Sequence, residues 1–158
     1  MPHPWLIVTP SASPPTPAAL EGVLRACEPP LTLHAEMAPE GPGWDTLAFG
    51  PPGEAPSLFL EAEPTGEPDN WLVQAELARW RRDIATLPAC AGRLEAQRRL
   101  ATARWLFAIH LMPVPPEASP MWQASEALAA TLAAAPGALM WVAGAGCNLD
   151  GVPLEGWR

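Results

Sequence analysis

One run of residues limits the folds open to this chain more than any other. Trp105-Leu106-Phe107-Ala108-Ile109-His110-Leu111-Met112 is apolar but for one histidine, and Pro113, Pro115 and Pro116 cut it off. Eight residues rich in aromatic and branched side chains predict a strand buried on both faces. Ser119-Pro120 then opens a helix: a serine caps free N–H groups, and proline fits the first turn because its missing N–H has no partner there. Met121, Ser125, Leu128 and Leu132 repeat at four, three and four, and Pro136-Gly137 ends the helix. Ala138 to Ala143 follows as a second apolar strand, closed by the glycine turn Gly144-Ala145-Gly146.

The rest of the chain arranges itself around this unit. Leu6-Ile7-Val8-Thr9, with Trp5 before it, reads as a short first strand, and Thr16-Pro17 as the start of a helix with Leu20, Val23, Leu24 and Cys27 on one face. Leu31 to Met37 alternates apolar with polar side chains, the pattern of a strand with one wet face. Gly41-Pro42-Gly43 and Gly50-Pro51-Pro52-Gly53 are turn signals that bracket a strand at Asp45–Phe49, and Ser57–Glu63 is the next strand. Val73, Leu77, Trp80, Ile84 and Leu87 then mark an amphipathic helix that stops at Pro88. A further helix, Gly92–Arg104, leads into the central strand. Asp150-Gly151 is a tight-turn dipeptide, with Val152–Leu154 as a returning arm.

The predicted order is β-α-β-β-β-α-α-β-α-β. It describes one α+β domain over residues 1–158, with a mixed or antiparallel sheet of about five to six strands and helices packed mainly on one face.

Charge restricts the partners. The net charge is −8, and ten acids face a single Arg over residues 1–70. Residues 79–104 hold seven Arg against Asp83 and Glu95. An acid excess of this size repels phosphate and disfavours nucleic acid as a partner, so a basic protein is the expected one. Cys27, Cys90 and Cys147 are scattered without metal-ligand or redox spacing, which predicts free thiols in a reducing cytoplasm. The start Met1-Pro2-His3-Pro4 lacks the basic region of a signal peptide. The 23 uncharged residues between Glu126 and Asp150 have the length of a membrane span, yet Pro136-Gly137 in their midst predicts a buried helix and strand instead.

Chemistry-bearing motifs are few. His110 stands on an apolar strand, where a hydrogen-bonded core or strand-end role is the ordinary one, and His34 shares its predicted face with Glu36. A small enzyme would draw on His34 or His110 with nearby acids, or on a Cys147–His110 dyad if their strands were neighbours. Gly144-Ala145-Gly146 begins like a dinucleotide fingerprint, but Leu149 stands where the third glycine or alanine belongs, so a strand-end turn is the better reading. No catalytic, cofactor-binding or metal-ligating residue is assigned from these patterns. Glu61, Glu63, Glu67 and Asp69, in and just after one strand, form the candidate partner-binding patch.

Residues 93–154 resemble small bacterial α/β proteins of the toxin-immunity and related orphan families. The similarity lies in element order: an Arg-rich helix, a strand, the helix Ala127-Leu128-Ala129-Ala130-Thr131-Leu132-Ala133, then Pro136-Gly137-Ala138-Leu139 and a closing strand with Asp150-Gly151. Those families carry an aromatic Phe-Tyr segment before the Asp-Gly, where Cys147-Asn148-Leu149 stands here. The resemblance implies a non-enzymatic cytoplasmic binding protein that neutralises a cognate toxin and needs no cofactor. The alternative expectation is an interaction subunit or chaperone of a larger bacterial or phage assembly, in which surplus tryptophan makes the contact.

Overall fold

The computed structural model describes residues 5–37, 39, 43–142, 146–150 and 152–154. In chain order its elements are β1 (Trp5–Thr9), α1 (Pro17–Arg25), β2 (Thr32–Leu33), β3 (Thr46–Gly50), β4 (Leu58–Pro64), α2 (Trp71–Ala85), α3 (Ala91–Thr102), β5 (Trp105–Leu111), α4 (Pro120–Ala133), β6 (Leu139–Val142), β7 (Gly146–Leu149) and β8 (Val152–Pro153). The eight strands form one sheet in the order β2-β3-β4-β5-β1-β6-β7-β8, and every neighbouring pair is antiparallel. The class is α+β.

The predicted both-face burial of the central run is realised by β5 and extends to its neighbour β1, all five of whose residues are buried. Alternation along the strands sends Trp5, Ile7, Phe107, Ile109, Leu58 and Leu60 to one face, where α1 and α4 cover them with Leu20, Leu24, Leu128 and Leu132. Leu6, Val8, Leu106, Ala108, Leu139 and Cys147 point to the other face, beneath Val73, Leu77, Trp80 and Ile84 of α2 and Ala96 and Leu100 of α3.

The helices therefore lie two on each face, not mainly on one. The physical reason is in β1 and β5 themselves: a strand apolar on both sides leaves unburied surface unless both faces are roofed. The sheet also has eight strands where about five to six were expected. The additional pairing is the C-terminal meander, in which Met140 pairs with Asn148, Trp141 with Cys147, and Asn148 with Pro153. Strands of four and two residues are too short to show a period, so only the turn dipeptide betrays them.

Helix starts follow the local chemistry read from the sequence. Thr16 and Ser119 accept hydrogen bonds from Ala19 N and Trp122 N, both at 3.2 Å, each with proline next in line. Asn70 caps α2 by accepting from Val73 N at 3.3 Å. The long uncharged segment breaks where expected, at Gly137 (φ +80°), which separates α4 from β6; a Cβ there would meet Pro10 Cγ at 3.0 Å. No described helix is long and apolar enough to cross a membrane.

One segment departs from its pattern. Leu31–Met37 alternates like a strand, but only Thr32–Leu33 pairs, and Ala35–Met37 coils into a 3-10 turn. The outward N–H of Leu33 donates instead to Glu21 Oε2 at 2.5 Å, so a side chain from α1 closes this sheet edge where a further strand would add.

Arg99 fastens the C-terminal meander to α3. It is 9% exposed, donates to Ala138 O at 2.8 Å, and grips Asp150 through both oxygens at 2.9 and 3.0 Å, while its Nε donates to Glu95 at 2.8 Å. Asp150 (φ +51°) occupies the left-handed position of the β7–β8 turn, as its Asp-Gly dipeptide predicts.

Two outcomes follow from this packing. Leu128 is fully buried, and Leu128→Ala should lower stability by about 2–5 kcal/mol through lost transfer energy and the cavity left behind. Urea melts measure it, and a change below about 0.5 kcal/mol would mean that α4 presents another face to the sheet. The second outcome concerns acid. Arg98 and Arg99 hold the Glu95 carboxyl down from 4.5 to about 2, and Arg99 lowers that of Asp150. A lowered carboxyl contributes stability above its unfolded pKa and loses it as pH falls through the folded one. The deficit of Arg99→Met in urea midpoint should therefore be greatest near about pH 6 and shrink toward about pH 2.

Candidate functional site

The sheet face beneath α2 and α3 is not roofed along its whole width. The two helices lie over β5, β1, β6 and β7, and on the β3–β4 side the alternation of β4 (buried at Leu58, Leu60 and Ala62, half-buried at Phe59, Glu61 and Glu63) leaves one face partly open. Register then sets the neighbours. Phe59 lies opposite His110, Glu61 opposite Ala108 and Glu63 opposite Leu106, so the two glutamates of β4 and the histidine of β5 share a face.

Between this face and the first turns of α2 runs a groove of about 370 Å³. Leu6, Leu106, Ala108 and Val73 supply apolar floor, and Leu72 forms one wall. Glu61, Glu63, Glu76, Asn70 and His110 bring polar groups to it. His110 Nε2 lies 3.0 Å from Glu61 Oε2, with the imidazole 17% exposed and the carboxylate 45%. Asn70, the cap of α2, also donates from Nδ2 to Glu63 Oε2 at 2.9 Å, tying helix start to strand. Glu76 accepts from Trp80 Nε1 at 2.8 Å and pairs with Arg79.

The groove's electrostatics are those of crowded acids. The Glu63 carboxyl is raised above its ordinary value, first by burial and then by the charges of Glu61, Asp45 and Glu67, against the lowering effect of the Asn70 hydrogen bond. Of the four residues singled out in the sequence, Glu61 and Glu63 thus stand in the groove. Glu67 and Asp69 are exposed in the turn between β4 and α2, where Glu67 O accepts from Gln74 Nε2 at 3.2 Å and Asp69 O from Trp71 N at 3.0 Å. Two further acids escaped sequence reasoning. Asp45 arrives through the β3–β4 pairing, its carbonyl accepting from Ala62 N at 2.8 Å, and Glu76 through the placement of α2. Neither is near Glu61 in the chain, so no spacing could have joined them.

The other candidates separate. Cys147 and His110 lie on β7 and β5, with β1 and β6 between them, so the two strands are not neighbours and no dyad forms. Burial also pushes the Cys147 thiol up to about 12, far from an activated nucleophile. His34 does not share a strand face with Glu36, because the chain coils into the 3-10 turn between them. Both residues nonetheless line one open hollow of about 540 Å³ at the sheet edge, bounded by Thr32–Glu36 on one side and by Gly50, Pro51 and Gly53–Ala55 on the other. Two of the glycine-turn residues, 144 and 145, lie outside the described residues; Gly146 pairs with Val142, so it opens an antiparallel neighbour strand and not a helix.

The Arg helices are largely satisfied from within. Arg79 pairs with Glu76 and Asp83 and lies 4.9 Å from the Trp141 ring centre; Arg98 and Arg99 engage Glu95; Arg93 donates to Leu87 O at 2.9 Å. Tryptophan is mostly structural too. Trp5 and Trp122 rings meet at 4.8 Å, Trp44 and Trp105 donate to Pro15 O and Ala12 O, and Trp80 is buried. Trp71 is the exception: it is 71% exposed at the start of α2, next to Leu72 at 63%.

Among the described residues no group of three His, Cys, Asp or Glu is arranged to hold a metal ion. No family model matches this chain, and neither a curated protein nor a solved structure matches it.

The crowding of acids has a measurable consequence. A carboxyl whose folded pKa is raised costs stability as pH rises through that value. Removing its largest charged neighbour with Glu61→Gln should bring the Glu63 titration down toward the ordinary range. Carbon-detected NMR titration of the Glu63 carboxyl reads this directly. An unchanged midpoint would mean that burial alone, not the neighbouring charge, sets it.

Proposed function

We propose that this protein is a non-enzymatic binding protein of the inhibitor or immunity type, whose acidic open face captures a basic protein in the bacterial cytoplasm and neutralises it. The observation that carries the reading is the position of Trp71. Six of the seven described tryptophans are at least half-buried, and the remaining one stands in solvent in the first turn of α2, between Asn70 and Leu72, which line the acidic groove. An exposed tryptophan beside an exposed leucine costs solvation in the free protein and is the residue type that most often anchors an interface. Glu61, Glu63, Glu67 and Asp69, joined by Asp45, supply a field that attracts a basic partner and repels nucleic acid.

A second reading is favoured by the His110–Glu61 contact, since a carboxylate 3.0 Å from an imidazole orients a general base. That reading makes His110 indispensable, whereas partner capture makes Trp71 and the acids so.

The partner is to be isolated on the immobilised chain, identified, purified, and its association followed by stopped flow. Replacing Glu61, Glu63 and Glu67 by Gln and Asp69 by Asn should leave the fold intact, because Gln at 63 keeps an acceptor for Asn70 and the exposed acids Glu67 and Asp69 contribute little to stability. Association should slow about tenfold or more at low salt, with the difference closing as ionic strength rises. Trp71→Ala should act on dissociation instead and weaken affinity by about tenfold or more. A partner bound at the wild-type rate by the quadruple variant in low salt would sink the reading.

A further inference from the structure

We propose that a notch between α2 and α3 is a binding site for a small carboxylic acid, one carboxylate on a short branched apolar body. The site shares no residue with the acid-lined groove and stands apart from the partner-capture reading. It measures about 240 Å³ and is lined by Arg81 and Ile84 of α2 and by Gln97, Leu100 and Ala101 of α3. Helical spacing puts them there. Arg81 and Ile84 are i and i+3, and Gln97, Leu100 and Ala101 are i, i+3 and i+4, so each helix turns one stripe toward the other. Ile84 and Leu100 are buried members of the core and give a fixed apolar floor, while Arg81 and Ala101 are exposed at the mouth. A notch below the roughly 300 Å³ at which drug-sized sites begin takes a ligand of a few heavy atoms, not a ring system or a helix.

The sign of the ligand follows from Arg81. Arg79 is engaged by Glu76 and Asp83, Arg98 and Arg99 by Glu95, and Arg93 by Leu87 O. Arg81 has no such acid. Its helical neighbours at three and four residues are Leu77, Ala78, Ile84 and Ala85, and across the notch stand a glutamine, a leucine and an alanine. Among the described residues no carboxylate pairs with it, and no hydrogen bond ties the Gln97 side-chain amide. A guanidinium with its fork of donors open thus faces a neutral recess, beside an amide that offers two more. Residues 79–104 carry seven Arg against Asp83 and Glu95, so the local field is positive although the whole chain is negative. A carboxylate meets a guanidinium through two parallel N–H···O bonds. The floor decides the rest: a branched hydrocarbon body loses water against Ile84, Leu100 and Ala101, which phosphate, hydrated all round and without an apolar part, cannot do.

The test titrates the ¹⁵N-labelled full chain at neutral pH with isovalerate, and in parallel with isovaleramide, acetate and inorganic phosphate. Isovalerate should shift the Gln97 side-chain amide and the backbone amides of Arg81 and Ala101 together, saturating in the millimolar range. Isovaleramide has the body without the charge and acetate the charge without the body, so each should bind about fivefold or more weakly. Phosphate should leave the three signals in place. Arg81→Gln should weaken isovalerate about threefold or more, whereas Arg82→Gln, one residue along and outside the notch, should change it by less than about twofold. Ala101→Leu fills the mouth at an exposed helical position with another good helix former, so the chain stays folded and binding is lost. Equal binding of the amide or of acetate, a phosphate response on the same signals, or isovalerate retained by Arg81→Gln or by Ala101→Leu would each overturn the proposal. None of these measurements involves a protein partner, so the site stands or falls separately from the acidic face.

Discussion

The constraint on which the structure depends is the burial of β1 and β5 on both faces. Side by side at the centre of the sheet, they present Trp5, Ile7, Phe107 and Ile109 to one side and Leu6, Val8, Leu106 and Ala108 to the other. Neither set can be left in water, at a cost of about 25 cal/mol for each Å² of apolar surface. Two roofs are therefore required, and the chain supplies four helices in two packed pairs, α1 with α4 and α2 with α3. The outer strands then need only follow the register that this centre sets.

The groove is a by-product of how those roofs are shared out. On one face the core reaches Leu47 and Phe49 of β3, so the cover extends almost to the sheet edge. On the other, α2 starts only at Trp71, just after Asn70 has tied itself to Glu63, and two of the β4 side chains facing that way, Glu61 and Glu63, are acidic. A sheet face half-roofed by a helix leaves a cleft along the helix. The cleft carries the character of both walls: apolar where the core begins and acidic where the open strand continues.

The uneven charge of the chain acquires a structural meaning from the same arrangement. Arg79, Arg98 and Arg99 of α2 and α3 spend their charge within the fold, on Glu76, Asp83, Glu95 and Asp150, and Arg99 does so while nearly buried. A buried guanidinium left without partners would be strongly destabilising, so its bonds to Asp150, Glu95 and Ala138 O belong to the fold's specification. Of the acids of β4, Glu61 and Glu63 line the groove.

Local rules made much of this fold readable from the residues: the capped helix starts at Thr16, Asn70 and Ser119, the stop at Pro136-Gly137, the four-three spacing from Val73 to Ile84, and the turn at Asp150-Gly151. Each depends on atoms a few residues apart, so the chain itself determines it. The 3-10 turn at Ala35–Met37 was not readable, because the alternation through Leu31–Met37 matches a strand throughout. Nor was the groove. Glu61 and Glu63 carry a visible spacing, but His110, Asp45 and Glu76 join them through the β4–β5 ladder, the β3–β4 ladder and the seat of α2. By itself the sequence determined which segments are helix, which are strand, and that the first half is acidic. Only the tertiary structure decided which acids share a surface, that Cys147 and His110 stay apart, and that Trp71 alone among the described tryptophans stands in water, because long-range pairing sets those distances and no local energy encodes them.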